Sequence, residues 1–451
     1  MLLIQIQHPL KQKEGMAVDA LICPEWTIPI EPRNVVWQNH AVVIDKGRIV
    51  AMLPKAEATI KYQAQEVINL PGQVLLPGLV NAHTHSPMTL FRGLANDLPL
   101  MTWLNDYIWP AEKKWLSDEF VYVGTRLAIA EMIKSGTTCF NDHYFYADAI
   151  SRAADEASMR ATIGGAVIDF PTSWSKTADE AIDKNLQIRE NYLQHPLISV
   201  YLGPHAPYTV GADTLRRVKQ ISDKFNLPIQ MHVHETSTEI EQFQQKHNKR
   251  PLQWLAELGL LSSRFQCIHM TQVNDDDLAI LQQTKAHVVH CPESNLKLAS
   301  GFCPVARLIA AEINVALGTD SVASNNDLDM FAEMRTAALL AKGVAGNATV
   351  LPAAEALQMA TLNGARALGL DQEIGTLGIG KAADVITVDL TQLPTQPVYD
   401  PLAHLVYSAN CRQVTNVWVA GKRLLQDGQL TTMDEPAILQ QAMSWGRKIN
   451  T

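Results

Sequence analysis

No run of apolar residues in this chain approaches the ~18 that a membrane-spanning helix needs, so no membrane partner is expected. Positive charge is in short supply. Lys and Arg total 37 against 46 Asp and Glu, giving a net charge of −9 and a pI near 5.9. That balance disfavours a nucleic-acid backbone or an anionic lipid surface as the main partner. No CxxC spacing occurs. The six cysteines (Cys23, Cys139, Cys267, Cys291, Cys303 and Cys411) are scattered, which predicts reduced, buried thiols in a cytoplasmic protein. Residues 1–8 are too short and too polar for a secretory signal. There is no solenoid-period repeat and no low-complexity segment. No GxGxxG follows a first strand, which counts against a doubly wound dinucleotide fold.

What is present fits a globular enzyme. The 451 residues are 47% apolar and 18% charged, room for one large domain and a smaller partner. Both ends read as short strands. Residues 41–44 and 48–52 flank Asp45-Lys46-Gly47, a hairpin with a glycine turn. Residues 383–388 alternate in the same way, and Val417-Trp418-Val419 runs towards Leu424-Leu425. A composite β-sandwich domain, built from residues 1–75 and 379–451, is therefore predicted around a catalytic domain at 76–378. In that middle, apolar strands at 79–83, 136–142, 161–169, 198–203, 229–234, 267–270, 287–290 and 315–318 alternate with helices such as 119–135 and 349–368. Strand–helix alternation of this kind predicts an α/β fold, a (β/α)8 barrel of the TIM type, with an open doubly wound sheet as the alternative.

Polar residues gather where those strands end, which in a barrel is one face. The apolar run before Asn81-Ala82-His83-Thr84-His85 stops in two histidines. Alternation on a strand points both imidazoles the same way, so they can share one divalent ion, and imidazole suits zinc, iron or nickel. Later strands end in His205, in His232-Val233-His234-Glu235, in His269 and in Asp320. Alternation alone does not choose between His232 and His234. No lysine lies between Ile198 and Arg217, where one could carry a carbamate bridging two metals. One metal is therefore expected, on His83, His85, a histidine of the fifth strand and Asp320, with an open water position.

The order His-x-His, His-x-x-Glu, His, Asp resembles the amidohydrolase superfamily in its mononuclear deaminase branch. More narrowly, residues 76–85, 203–209, 290–298 and 318–326 are similar to the 5′-methylthioadenosine/S-adenosylhomocysteine deaminases, and the likeness spans residues 35–425. That resemblance implies His83, His85 and His232 as ligands of a Zn²⁺ ion, or alternatively Fe²⁺, with Asp320 on or near the metal. It implies Glu235 as the group that protonates the purine ring, Asp320 as the acceptor of the water's proton, and His269 as the group that orients the hydroxide. It also implies Glu112 and His205 as substrate contacts, Glu112 at the ribose hydroxyls. The reaction implied is loss of ammonia from a small-molecule adenosine-type nucleoside, leaving the inosine analogue, in a homo-oligomeric enzyme. A guanine-type deaminase, a triazine chlorohydrolase or an inactive structural homologue are the alternatives. One departure stands out. Relatives that use S-adenosylhomocysteine can hold its carboxylate with arginines after the third strand. Residues 161–188 here contain no arginine, only Lys176 and Lys184. Phe170 and Trp174 occupy that loop instead, and an aromatic wall suits an uncharged methylthio group. Trp174 is thus a further expected substrate contact.

Overall fold

The computed structural model describes residues 15–450, so the expectation about residues 1–8 lies outside the described residues. Two parallel sheets form the middle of the chain. The first orders Gly203–Pro204, Arg160–Val167, Thr137–Tyr144 and Leu79–Thr84, with Ile198–Val200 also paired to Arg160–Val167. The second orders Ile229–Val233, Phe265–His269, His287–His290 and Val315–Leu317. Isolated parallel bridges, Leu202 to Ile229 and Thr84 to Asp320, link the sheets at both margins. Thr137–Tyr144 and Arg160–Val167 are buried at every position. Strands covered on both faces show no polar–apolar alternation; Arg160–Val167 becomes a run of small and apolar residues after Arg160, whereas Thr137–Tyr144 buries Asn141, Asp142 and His143 near its end.

Helices cover the outside, and several start where a side chain caps them. Ser117, Thr177 and Thr236 each accept a backbone N–H from the third helical residue. Thr236 starts Ser237–His247, and that cap fixes the chain immediately after Glu235. The single helix expected at 349–368 is two helices, Ala353–Met359 and Leu362–Ala367. The break has a cause. Ala360 turns its carbonyl out to accept the Val80 amide at 2.8 Å. Beside it, a Cβ on Gly364 would come within 2.8 Å of the Val80 side chain. The helix is interrupted so that it can dock on the strand that delivers His83.

Among the described residues, a nine-stranded sheet draws strands from both ends of the chain. Tyr62–Pro77 pairs with Met16–Thr27 on one side and Val385–Asp389 on the other. The predicted hairpin forms between His40–Asp45 and Arg48–Pro54, and Lys46 and Gly47 take the left-handed conformation at its turn. All six cysteines are free; five are buried and Cys411 is half-buried. No helix among the described residues is long and apolar enough to cross a membrane.

One buried ion pair joins this sheet to the parallel strands. Arg160, the first residue of its strand, donates to Asp384 from Nε at 2.7 Å and from Nη2 at 3.0 Å. Asp384 also accepts the Ala420 amide at 2.7 Å. Removing one member of a buried pair strands the other without solvent. Asp384→Ala should lower the urea-unfolding stability by about 3–5 kcal/mol, and Arg160→Met/Asp384→Ala should recover part of that loss. An unchanged midpoint in the single variant would refute a structural role for the pair.

Candidate metal centre and active site

His83, His85, His232 and Asp320 converge, with ligand atoms all within 4.8 Å of one another. The convergence depends on how the last parallel strand meets the first. A Cβ on Gly318 would stand 2.8 Å from both the amide nitrogen and the Cβ of His83, so only glycine permits this approach. The Asp320 amide then donates to the His83 carbonyl at 3.0 Å. Asp320 Oδ1 lies 3.3 Å from His83 Nε2 and 3.2 Å from His85 Nε2.

Each imidazole turns its other nitrogen away from the centre. His83 Nδ1 meets Gln230 Oε1 at 2.7 Å, His232 Nδ1 meets the His205 carbonyl at 2.8 Å, and His85 Nδ1 meets the His143 carbonyl. Gln230 presents its oxygen because its amide nitrogen is committed to the Ala82 carbonyl and Gln266 Oε1. These acceptors fix the proton on Nδ1 and leave three Nε2 lone pairs facing inward, the usual support of a histidine-bound metal. His83 Nε2 is buried without a hydrogen-bond partner. Three neutral imidazoles and a carboxylate suit one divalent ion, zinc included, with a position left for water.

Asp320 and Glu235 share the cleft but differ in charge. Burial opposes ionisation of Asp320, yet the His83 and His85 imidazoles that face its Oδ1 hold its carboxyl well below the usual range. Ser294 and Ser324 donate to its Oδ2 at 2.6 and 3.0 Å. Glu235 is pushed up to about 8, first by burial and then by the Asp320 charge. It sits 3.8 Å from His269 Nε2, and the His269 ring is held by Asn295 Oδ1 at 2.9 Å. His234, His269 and Asp320 all adopt positive φ at their strand ends. Such conformations are unfavourable for residues with side chains and concentrate at functional sites.

The choice between His232 and His234 has a physical basis. At φ 56° the strand alternation is broken at His234. Its Nε2 accepts the Leu252 amide at 3.1 Å and its ring is fully buried away from the cleft. His205 and Glu112 do line the cleft, an opening of about 700 Å³. Burial lowers the His205 imidazole to about 3, and Thr209 Oγ1 holds its Nδ1 at 3.0 Å. Burial raises Glu112 to about 7, against a hydrogen bond donated by Tyr144 Oη at 2.6 Å. Trp174 does not line this cleft. Its ring covers Gly165, where a Cβ would come within 2.2 Å of it. Phe170 is 45% exposed. Sequence reasoning missed His143 and Tyr144, which line the cleft, because the strand was expected to stop at Asp142 rather than Tyr144. It also missed Gln230, whose position inside an apolar strand was the available signal.

The model of the amidohydrolase family matches residues 74–424. The chain belongs to this family. A 5-methylthioadenosine/S-adenosylhomocysteine deaminase from Teredinibacter turnerae is 47% identical over 432 residues, covering 96% of this chain and 98% of that one. A 5′-deoxyadenosine deaminase from Methanothermobacter thermautotrophicus is 43% identical over 405 residues, covering 90% and 93%. The crystal structure of an adenosine deaminase from Xanthomonas campestris with bound zinc is similar at a TM-score of 0.96 and 46% identity, covering 97% of this chain and 99% of that one. The metal group of this amidohydrolase lends itself to a direct test. His232→Ala should purify with far less than one metal per chain. Gln230→Leu, which frees the His83 tautomer, should weaken metal affinity by roughly 10–100-fold. Metal analysis and chelator competition read both, and full occupancy in His232→Ala would overturn the ligand set.

Proposed function

We propose that the protein is a metal-dependent aminohydrolase that replaces the 6-amino group of an adenosine-type nucleoside with oxygen, releasing ammonia and the inosine analogue. The observation that carries this reading is the pairing of an ionised Asp320 with a proton-holding Glu235 across one metal-binding group. The eight parallel segments, with Ile198–Val200 and Gly203–Pro204 as two parts of one strand, are read as a closed (β/α)8 barrel linked through Leu202–Ile229 and Thr84–Asp320. The described parts of the two ends, 15–75 and 379–450, are read as its composite β domain. The free cysteines suit a reducing cytoplasm.

His83, His85, His232 and Asp320 would hold a divalent ion, which when bound would supply a hydroxide nucleophile at neutral pH by lowering the pKa of water from 15.7 to about 7. Asp320 accepts the released proton at Oδ1, the oxygen its two serine partners leave free. Glu235 protonates the ring nitrogen beside the carbon under attack, which makes that carbon more electrophilic. His269, fixed by Asn295, orients the attacking oxygen. After attack, proton transfer to the 6-amino group lets it leave as ammonia. Glu112, held by Tyr144, takes the ribose hydroxyls, a contact that would be idle for a free base.

The 5′ group of the substrate meets an apolar wall. Met88, Trp103, Ile108, Trp109 and Leu298 line the cleft, and among the described residues no lysine or arginine does. A methylthio sulfur gains contact with aromatic edges there. An amino-acid carboxylate would be desolvated without a cation to pair with it. The reading therefore favours 5′-methylthioadenosine over S-adenosylhomocysteine.

Glu235→Gln preserves shape but cannot move a proton, so kcat should fall by roughly 10²-fold or more while metal content holds. Activity within a few-fold of wild type would remove Glu235 from the acid–base role. An ammonia-release assay should also give a higher kcat/KM for 5′-methylthioadenosine than for S-adenosylhomocysteine. Equal values would mean that a cation outside the described cleft reaches the carboxylate.

A further inference from the structure

One wall of the cleft comes from a single stretch of chain. Leu100, Trp103, Leu104, Ile108, Trp109 and Glu112 all line it. They fall on three helical pieces in succession, Leu100–Thr102, Trp103–Ile108 and Trp109–Trp115. The middle piece is wound as a π-helix, a rare form found frequently at functional sites. The last piece has 7 residues, and none of them is buried. So short a helix draws its stability from packing, not from its own hydrogen bonds. Trp109, Ala111 and Trp115 rest half-buried on the core. Two side chains from other elements hold the helix at its inner side. Tyr144 Oη donates to Glu112 at 2.6 Å. Trp445 meets Trp115 edge to face, with ring centroids 6.5 Å apart and planes at 89°.

Trp445 belongs to the C-terminal helix, Glu435–Ile449, which contributes nothing to the cleft lining. That helix lies along Asp118–Lys134 and is tied to it by Glu435 and Lys134 at 2.8 Å. Trp445 is 7% exposed, and its ring also stands edge to face on the buried Phe120, with centroids 5.3 Å apart. One indole thus bridges a fixed helix and Trp115. Glu112 and Trp115 are three residues apart, so they share one side of their helix and move together. We propose that Trp445 is a positioning residue for Glu112: from outside the barrel, it sets through Trp115 where the Glu112 carboxyl lies. This rests on the reading of Glu112 as the group that takes the ribose hydroxyls. Without the Trp445 ring, Trp115 loses an aromatic partner and the short helix is free to shift against Tyr144.

The test compares adenosine with 2′,3′-dideoxyadenosine, which lacks both hydroxyls, as substrates of wild type, Trp445→Ala, Trp445→Phe and Ile438→Ala. Ile438 is 1% exposed and lies two turns earlier on the same helix, so its variant reports general loosening of that helix. Wild type should favour adenosine in kcat/KM. Trp445→Ala should narrow that preference about fivefold, through KM, with kcat and metal content held. Trp445→Phe keeps an aromatic edge and should restore most of the preference. Ile438→Ala should unfold at a lower temperature and keep the wild-type preference. If Trp445→Ala does not fold, Trp115→Leu removes the same contact from its half-buried side and carries the comparison. An unchanged preference in the tryptophan variant overturns the inference and leaves the deaminase reading standing. So does an equal narrowing in Ile438→Ala, which would make the helix a general support. A wild type that deaminates both nucleosides equally well overturns the ribose role of Glu112 and this inference with it. A wild type that deaminates no nucleoside overturns the proposed function as well.

Discussion

Three imidazoles can share one ion only if each offers the same kind of nitrogen with its lone pair free. That condition is met outside the metal group, by the acceptors behind it. The His143 and His205 carbonyls and the Gln230 side-chain oxygen each take an Nδ1 proton. Gln230 can do so only because Ala82 and Gln266 hold its other end. Two of these acceptors are backbone carbonyls, so those contacts are tied to strand register and survive side-chain substitution, whereas the third depends on the Gln230 side chain.

The same enclosure separates two carboxyls. Asp320 and Glu235 both lie in the cleft, and both are opposed by burial. Asp320 has two imidazoles against Oδ1 and two hydroxyl donors on Oδ2, and stays ionised. Glu235 has a weak serine contact at 3.5 Å and a neighbouring negative charge, and keeps its proton to about pH 8. Two carboxyls whose surroundings drive their proton affinities apart can divide the work of base and acid at one pH. A third, Glu239, is raised to about 8 beneath them and accepts the His234 and Glu235 amides, so it serves the backbone rather than the substrate.

Glycine at two close approaches makes this packing possible. Gly318 lets the last parallel strand lie on His83, and Gly203 leaves the space filled by the His143 ring. At both positions the constraint is another residue's atoms. The tolerance of the site to change is therefore set by neighbours distant in sequence.

The sequence by itself determined the strand–helix alternation, the strand-rich ends, and the metal-binding His-x-His and Asp320, because burial on two faces and strand alternation leave local marks. His232 was reached only through resemblance, since His234 obeys the same alternation; the left-handed backbone at His234 removes that ambiguity and has no local signature. Trp174 was expected at the substrate, but it covers Gly165, a contact that loop composition does not encode. His143 lay one residue past an expected strand end and was passed over. Whether a strand continues is decided by pairing, here with Gly164 and Gly165 of the next strand, and not by the propensity of His143 and Tyr144. Local pattern fixes what a residue can be. Which residues meet, and which nitrogen faces inward, are set by contacts across the fold, and those exist only once the chain has closed on itself.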